Sequence, residues 1–353
     1  MKKRRFSHQK TNIFLLYLLG GLLLASFLLI IHVGTGKVLL TPQQVLAALF
    51  DQTDSSFQHV IVWELRLPRT LIALLAGAML GLAGAIIQAL TRNPLADPGI
   101  IGVSSGGILL IVITLTYLPA INDYRVLFPL LALAGGSLTA LLIYSISWQR
   151  GTNPLRLVLI GILLGAIFGS VTSLFLLQSS GSLSGLLLWM VGSLNGRVWI
   201  DWNVLWPWGL IALPSGLLCA GLANALQLGD EIAAGLGLAV ERTRILLLIV
   251  ALLLTAGAIS IVGGVSFIGL IGPHLARRLI GTNDARRIFP LSAVLTACIL
   301  LLADIVATTL TINPPFRAIQ NPTALPVGAV TTLLGAPFFL YLLRKNRHNN
   351  EQR

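Results

Sequence analysis

The sequence predicts an all-α integral membrane protein of about ten transmembrane helices, and three observations predict it. Of its 353 residues, 56% are hydrophobic and only 10% are charged, against about 25% charged in a soluble domain. The apolar residues come in long blocks: 13–33 and 70–91 contain no Asp, Glu, Lys or Arg. A helix rising ~1.5 Å per residue needs about 20 such residues to cross a hydrocarbon core ~30 Å thick. Finally, the net charge of +12 is unevenly spread along the chain, as the positive-inside rule requires of a polytopic protein.

The spans are predicted at 13–33, 70–90, 99–119, 126–147, 156–177, 204–224, 244–262, 265–280, 290–310 and 325–343, the eighth being short and containing Pro273. With the N-terminus cytoplasmic, the outer side keeps six of the 24 basic residues, namely Lys37, Arg66, Arg69, Arg125, Arg197 and Arg317, and the inner side has three times as many. Both termini are then cytoplasmic. Residues 1–12 form a basic anchor, 13–343 the membrane domain and 344–353 a cytoplasmic tail. Met1-Lys2-Lys3-Arg4-Arg5 could open a signal peptide. The apolar run after it is long and has no clear small-residue cleavage pattern, so it reads as an uncleaved first span.

Taken in order, the outer segment 34–69 contains a helix start at Thr41-Pro42-Gln43-Gln44. Thr41 suits the cap, Pro42 the first helical position, and Gln44 completes a capping box. Val45, Leu46, Leu49 and Phe50 then supply an apolar face. Gly77, Gly81 and Gly84 in the second span, and Gly161, Gly165 and Gly169 in the fifth, are spaced for close helix approach. They read equally as a smooth wall of a wide pathway. Five of the seven tryptophans lie between Trp189 and Trp208, where interface anchoring explains them. The longest inner link, 225–243, mixes a short amphipathic helix, a glycine break and a charged turn. It is longer than a mere connection needs and suits either a surface helix or a partner contact.

Chemistry is scarce. There is no GxxxxGK[ST] phosphate loop and no nucleophile–base set, so no catalytic residue is predicted. Cys219 and Cys298 sit in apolar stretches without CxxC or Cys/His grouping, so neither a metal site nor a disulfide framework is expected. The positive charge is accounted for by topology, and no nucleic-acid partner is expected. Asp304 is the clearest intramembrane acid and reads as a helix-end carboxylate hydrogen-bonded to its neighbours. His274 has no acidic residue within its span. Ion-coupled carriers place such groups along an ion path, so a secondary carrier is disfavoured and energy must come from another subunit. A membrane scaffold without transport is the remaining rival.

Several motifs recur in a family order: Arg66-Leu67-Pro68-Arg69, then Gly84 through Gly99, Gly102-Val103-Ser104-Ser105-Gly106, and Trp189-Met190-Val191-Gly192-Ser193-Leu194. Phe267 through His274 with Ala276-Arg277, Leu302-Ala303-Asp304, Leu325-Pro326-Val327-Gly328 and Gly335-Ala336-Pro337-Phe338-Phe339 complete the set. Over nearly the whole chain this resembles the permeases of type II ABC importers for iron–siderophores, haem and vitamin B12. The resemblance implies the type II ABC importer permease architecture with ten helices. It implies a second permease subunit (identical or paralogous), two cytoplasmic ATP-binding subunits that hydrolyse ATP, an extracytoplasmic substrate-binding protein, and no cofactor on this chain. The implied cargo is a ferric siderophore, with vitamin B12 or haem as the alternative. The implied ATPase-coupling segment contains Leu228, Gly229, Asp230, Glu231, Ala233, Leu236 and Gly237. Arg66 and Arg69 match outer arginines that meet the binding protein. Thr308 stands where the family often has a further arginine, and Arg317 in the following loop is the expected replacement. Asn93 and Leu95 at the inner mouth, with Gly161, Gly165 and Gly169, are the pore and gate candidates.

Overall fold

The computed structural model describes residues 2–36, 38–50, 57–99, 102–147, 154–178, 190–312 and 325–351. Among these residues there is no strand. The helices are α1 (Lys2–Gly34), α2 (Pro42–Phe50), α3 (Phe57–Val60), α4 (Leu67–Thr91), α5 (Val103–Tyr117), α6 (Phe128–Ser147) and α7 (Pro154–Gln178). They continue as α8 (Trp199–Leu218), α9 (Ala220–Gln227), α10 (Asp230–Gly235), α11 (Val240–Val262), α12 (Ile268–Ile280), α13 (Ala285–Ile312) and α14 (Val327–Glu351). Each of the ten predicted spans falls on a helix. Helices in α1, α4, α7, α11 and α13 are long and apolar enough to cross a membrane alone, and α8 and α9, bent by 42° to each other, are so together. α5, α6 and α14 contribute shorter apolar helices, and α12 has only 13 residues.

The second crossing begins earlier than the apolar run suggests. α3 runs through a π-helical stretch, Ile61–Arg66, directly into α4. The outer segment therefore belongs to this helix from Phe57 onward. The Thr41 box forms as its residues dictate: Thr41 N–H donates to Gln44 Oε1 at 2.8 Å and Gln44 N–H to Thr41 Oγ1 at 3.3 Å. The buried face of α2 is narrower than expected, though. Val45 and Ala48 are covered, while Leu46 and Phe50 are exposed.

α4 is the central helix and packs against α13, α11, α8 and α12. Ile72, Met79, Leu82 and Ile86 on α4 join Leu247, Leu254, Ile259 and Phe289 as fully buried side chains. Its glycines permit these approaches: a Cβ on Gly84 would overlap the Gly269 carbonyl of α12, and one on Gly77 would sit 2.7 Å from Ala297 Cα of α13. α1 and α7 are different, for most of their apolar surface faces outward, as lipid or a second subunit requires.

Three irregular segments meet within the bundle. Ser193 N–H donates to Val262 O at 2.9 Å and Gly328 N–H to Gly192 O at 3.0 Å. Phe267 begins α12 at φ 66°, and its ring lies edge-on to Phe339. Non-helical backbone is tolerated at membrane depth where it is buried in protein or lines a water-filled cavity, and these mutual hydrogen bonds satisfy part of its polar groups.

Candidate functional site

The end of the bundle that holds Arg92, Asp230 and Arg277 is the one predicted to be inner. The end that holds His32, Arg69 and Asp304 is the one predicted to be outer. Polar groups concentrate at both.

At the outer end Asp304 is 1% exposed and grips three elements. Arg69 donates to both of its oxygens at 2.7 Å, and His32 Nε2 lies 2.7 Å from Oδ2. Thr70 Oγ1 donates to the Arg66 carbonyl and lies 2.7 Å from His32 Nδ1. The hydroxyl proton is thus committed, so Nδ1–H donates to Thr70. Burial of the acid is offset by two charge-assisted bonds from one guanidinium. Sequence reasoning found Asp304 as a hydrogen-bonded helix-end acid but missed His32, whose partner is 272 residues away.

Arg69 also donates to Thr308 Oγ1 at 3.1 Å, the position where an arginine was expected from the resemblance. Arg66 donates to three carbonyls, Val33, Gly34 and Val38, at 2.8, 3.1 and 2.5 Å, which fastens the chain after α1. Two of the three predicted docking arginines, Arg66 and Arg69, line one outer cavity of about 580 Å³, with His32, Arg197 and Thr308. Arg317 lies outside the described residues.

At the inner end the predicted coupling segment folds as α10 between two glycines. Gly229 (φ 111°) and Gly237 (φ 84°) take conformations closed to most side chains. Ala233 is buried, while Ile232 and Leu236 are 56% and 68% exposed and Leu228 and Glu231 are exposed beside them. Asp230 ties this helix to the bundle. It accepts from Arg92, the left-handed cap of α4, and from Arg244 of α11 at 2.6 Å. Burial alone would raise the pKa of the Asp230 carboxyl, but hydrogen bonds from Arg244 and Arg92 outweigh it and hold the group below the ordinary aspartate range. Arg92 Nε also donates to Leu226 O at 3.0 Å.

The gate candidates Asn93 and Leu95 sit in the turn after that cap, where Asn93 Oδ1 accepts from Leu95 N–H at 2.9 Å. Gly161 and Gly165 are met by the backbone of Gly102 at the start of α5, whereas a Cβ on Gly169 would meet nothing within 4 Å. The glycine row therefore serves packing at one end and an open face at the other.

Known proteins match this arrangement. The model of the FecCD transport family matches residues 22–345. The iron(3+)-hydroxamate import system permease protein FhuG of Bacillus subtilis (strain 168) is 37% identical over 345 residues, covering 95% of this chain and 98% of that one. The Fe(3+) dicitrate transport system permease protein FecD of Escherichia coli (strain K12) is 36% identical over 335 residues, with 95% and 98% covered. The ferric enterobactin transport system permease protein FepG of the same organism is 37% identical, with 88% and 89% covered. Among solved structures, an inward-facing ABC transporter assigned to the metal-chelate type superposes with TM-score 0.76 and 28% identity, covering 93% of this chain and 98% of that one. The fold is that of a type II ABC importer permease. Since the family match runs from the middle of α1 into α14 and the relatives align almost end to end, this chain belongs to the FecCD transport family.

Proposed function

We propose that the chain is the permease subunit of an ABC importer that moves an iron(III)–siderophore complex across the cytoplasmic membrane. The observation that carries this reading is the nearly end-to-end likeness to permeases named for hydroxamate, dicitrate and enterobactin iron complexes. In this reading the chain pairs with a second permease subunit, and the cargo passes between them along a wall that includes Gly161, Gly165 and Gly169. A binding protein delivers the cargo at the outer end, where Arg66 and Arg317 offer positive charge to acidic groups and Arg69 exchanges part of its hold on Asp304 for them. Such charges steer docking and fix its register. Two ATP-hydrolysing subunits engage α10, whose exposed Ile232 and Leu236 need an apolar partner. They drive Asn93 and Leu95 through Arg92. Both termini face the cytoplasm, and the chain binds no cofactor of its own.

The test is uptake of labelled iron by cells lacking the chain, supplied with a panel of ferric siderophores alongside labelled vitamin B12 and haem. The expected result is loss of one iron chelate, restored by the wild-type chain. Gly237→Ala, which forces a side chain into a left-handed position at ~1–2 kcal/mol, should reach the membrane yet fail to restore uptake. Loss of vitamin or haem uptake alone would overturn the cargo, and unchanged uptake of all would overturn import.

A further inference from the structure

A second cavity, of about 230 Å³, opens at the inner end between the last turn of α4, the end of α9, the end of α12 and the start of α13. Its polar lining is Gln88, Arg92, Gln227, Arg277 and Asn283, and none of its lining residues is acidic. Part of the hydrogen-bonding capacity of these groups is unspent. Arg277 donates to Gln88 Oε1 and, among the described residues, has no carboxylate partner. Gln88 spends its own amide on the Ala96 carbonyl at 3.1 Å. Arg92 spends two nitrogens on Leu226 O and Asp230. Asp230 is already shared with Arg244, which also pairs with Glu241, so these two carboxylates are matched by Arg92 and Arg244 and neither is left for Arg277. Asp284, close by in sequence, is turned to Asn224 at 2.6 Å.

The positive-inside rule accounts for exposed arginines such as Arg278 and Arg286, which water solvates. It does not account for Arg277, which is recessed beside the buried Gln88. A recessed guanidinium with an amide as sole partner leaves charge uncompensated, and such charge is costly unless an anion completes it. Two guanidiniums and two side-chain amides facing one cavity suit a tetrahedral oxyanion, which accepts on several oxygens at once, better than a two-oxygen carboxylate. A water takes ~30 Å³ of liquid, so the space holds such an anion with part of its hydration.

We propose that this cavity is a binding site for a phosphate-bearing anion, held by Arg277 and Arg92 with Gln227 and Asn283. Two sources share that chemistry at this depth: the headgroup of an anionic phospholipid of the inner leaflet, which basic pockets between transmembrane helices take up, and free phosphate. The site is joined to α10 because Arg92 bonds Asp230. An anion here draws on the same guanidinium that holds the coupling helix, so occupancy shifts how firmly α10 is tethered. The proposal does not depend on the identity of the cargo.

The test uses the full-length chain, purified in a neutral detergent and titrated separately with dioleoyl phosphatidylglycerol, dioleoyl phosphatidylcholine and inorganic phosphate, with bound species read by native mass spectrometry. One phosphatidylglycerol or one phosphate per chain is expected to be retained by wild type and by Arg278→Gln. Arg277→Gln should weaken it by ~10- to 100-fold, the loss of a charge-assisted contact. Because Arg277→Gln alters a packed helix, the paired Gln227→Ala/Asn283→Ala variant, which changes only the cavity mouth, is measured with it and should weaken binding by several-fold at unchanged thermal midpoint. Retention of phosphatidylglycerol that phosphate does not displace assigns the site to lipid, and the converse assigns it to free phosphate. Either supports the proposal. Equal binding by wild type and both variants, or no binding of either probe to wild type, overturns it.

Discussion

At the scale of single residues, stability at the outer end turns on Asp304. Its carboxylate is the shared acceptor for Arg69 and His32, so α1, α4 and α13 meet on one atom group. Removing the carboxylate of a buried pair leaves the Arg69 guanidinium without its counter-charge, at about 3–5 kcal/mol. Asp304→Asn is therefore expected to lower the thermal midpoint of the purified chain markedly. Thr70→Val, which strands the Nδ1 donor of His32 and removes the hydroxyl's bond to the Arg66 carbonyl, should cost about 1–3 kcal/mol. Differential scanning fluorimetry of the two variants checks the order, and equal midpoints would contradict it. Asp230 gives a second residue-scale prediction. Its carboxyl titrates below the ordinary range, so its tethering of α10 is complete above the unfolded value of ~3.9 and is lost only as pH falls through the lower folded value. Protease protection of 228–238 should then be flat from about pH 6 to 8, while Asp230→Asn should lose protection at neutral pH. A protection step inside that range would contradict the assignment.

At the scale of elements, the glycines separate into two kinds. Gly84 lies where α4 meets α12, and a methyl group there must push the Gly269 carbonyl away. Gly84→Ala should destabilise the chain by about 1–3 kcal/mol, the cost of overpacking. Gly169 on α7 faces open space, so Gly169→Ala should leave the unfolding midpoint of the isolated chain unchanged. Any loss of transport it causes would arise at the permease partner. These two glycines look the same in sequence, each one of a row of small residues, because spacing reports that a face is small and not what stands opposite. The elements that were legible were the local ones. The Thr41 box closes over three residues, and each span carries its own apolar run. The π-helical lead-in at Ile61–Arg66 was not legible, since Glu64 and Arg66 interrupt the apolar pattern while the backbone continues. Nor was the His32–Asp304 link, or the recess of Arg277 behind Gln88, for no periodicity relates residues that distant. The placing of α10 between Gly229 and Gly237 was legible through likeness to a family, since a glycine break alone also fits a helix lying on a membrane.

At the scale of the whole molecule, the bundle is built around one fully engaged helix, α4, with loosely engaged helices outside it. The outer cavity and the inner cluster lie at opposite ends of that helix, because α4 begins beside Arg66 and Arg69 and ends at Arg92. A rigid central rod with an ionic anchor at each end can transmit a tilt from one surface to the other without local unfolding.

The shortness of α12 has a consequence for how this protein is made. Thirteen residues reach only about 20 Å at ~1.5 Å each, well short of the ~30 Å a lone segment must cross, and the segment ends in Arg277 and Arg278. The insertion machinery thus meets a stretch that cannot partition into lipid by itself. Its entry leans on α11, which precedes it by five residues and is apolar from Ile245 onward, and on α4, already in place, whose Gly84 admits the Gly269 backbone of α12. Synthesis order and final packing are in this way the same constraint: the chain lays down that packing surface some two hundred residues before the helix that needs it.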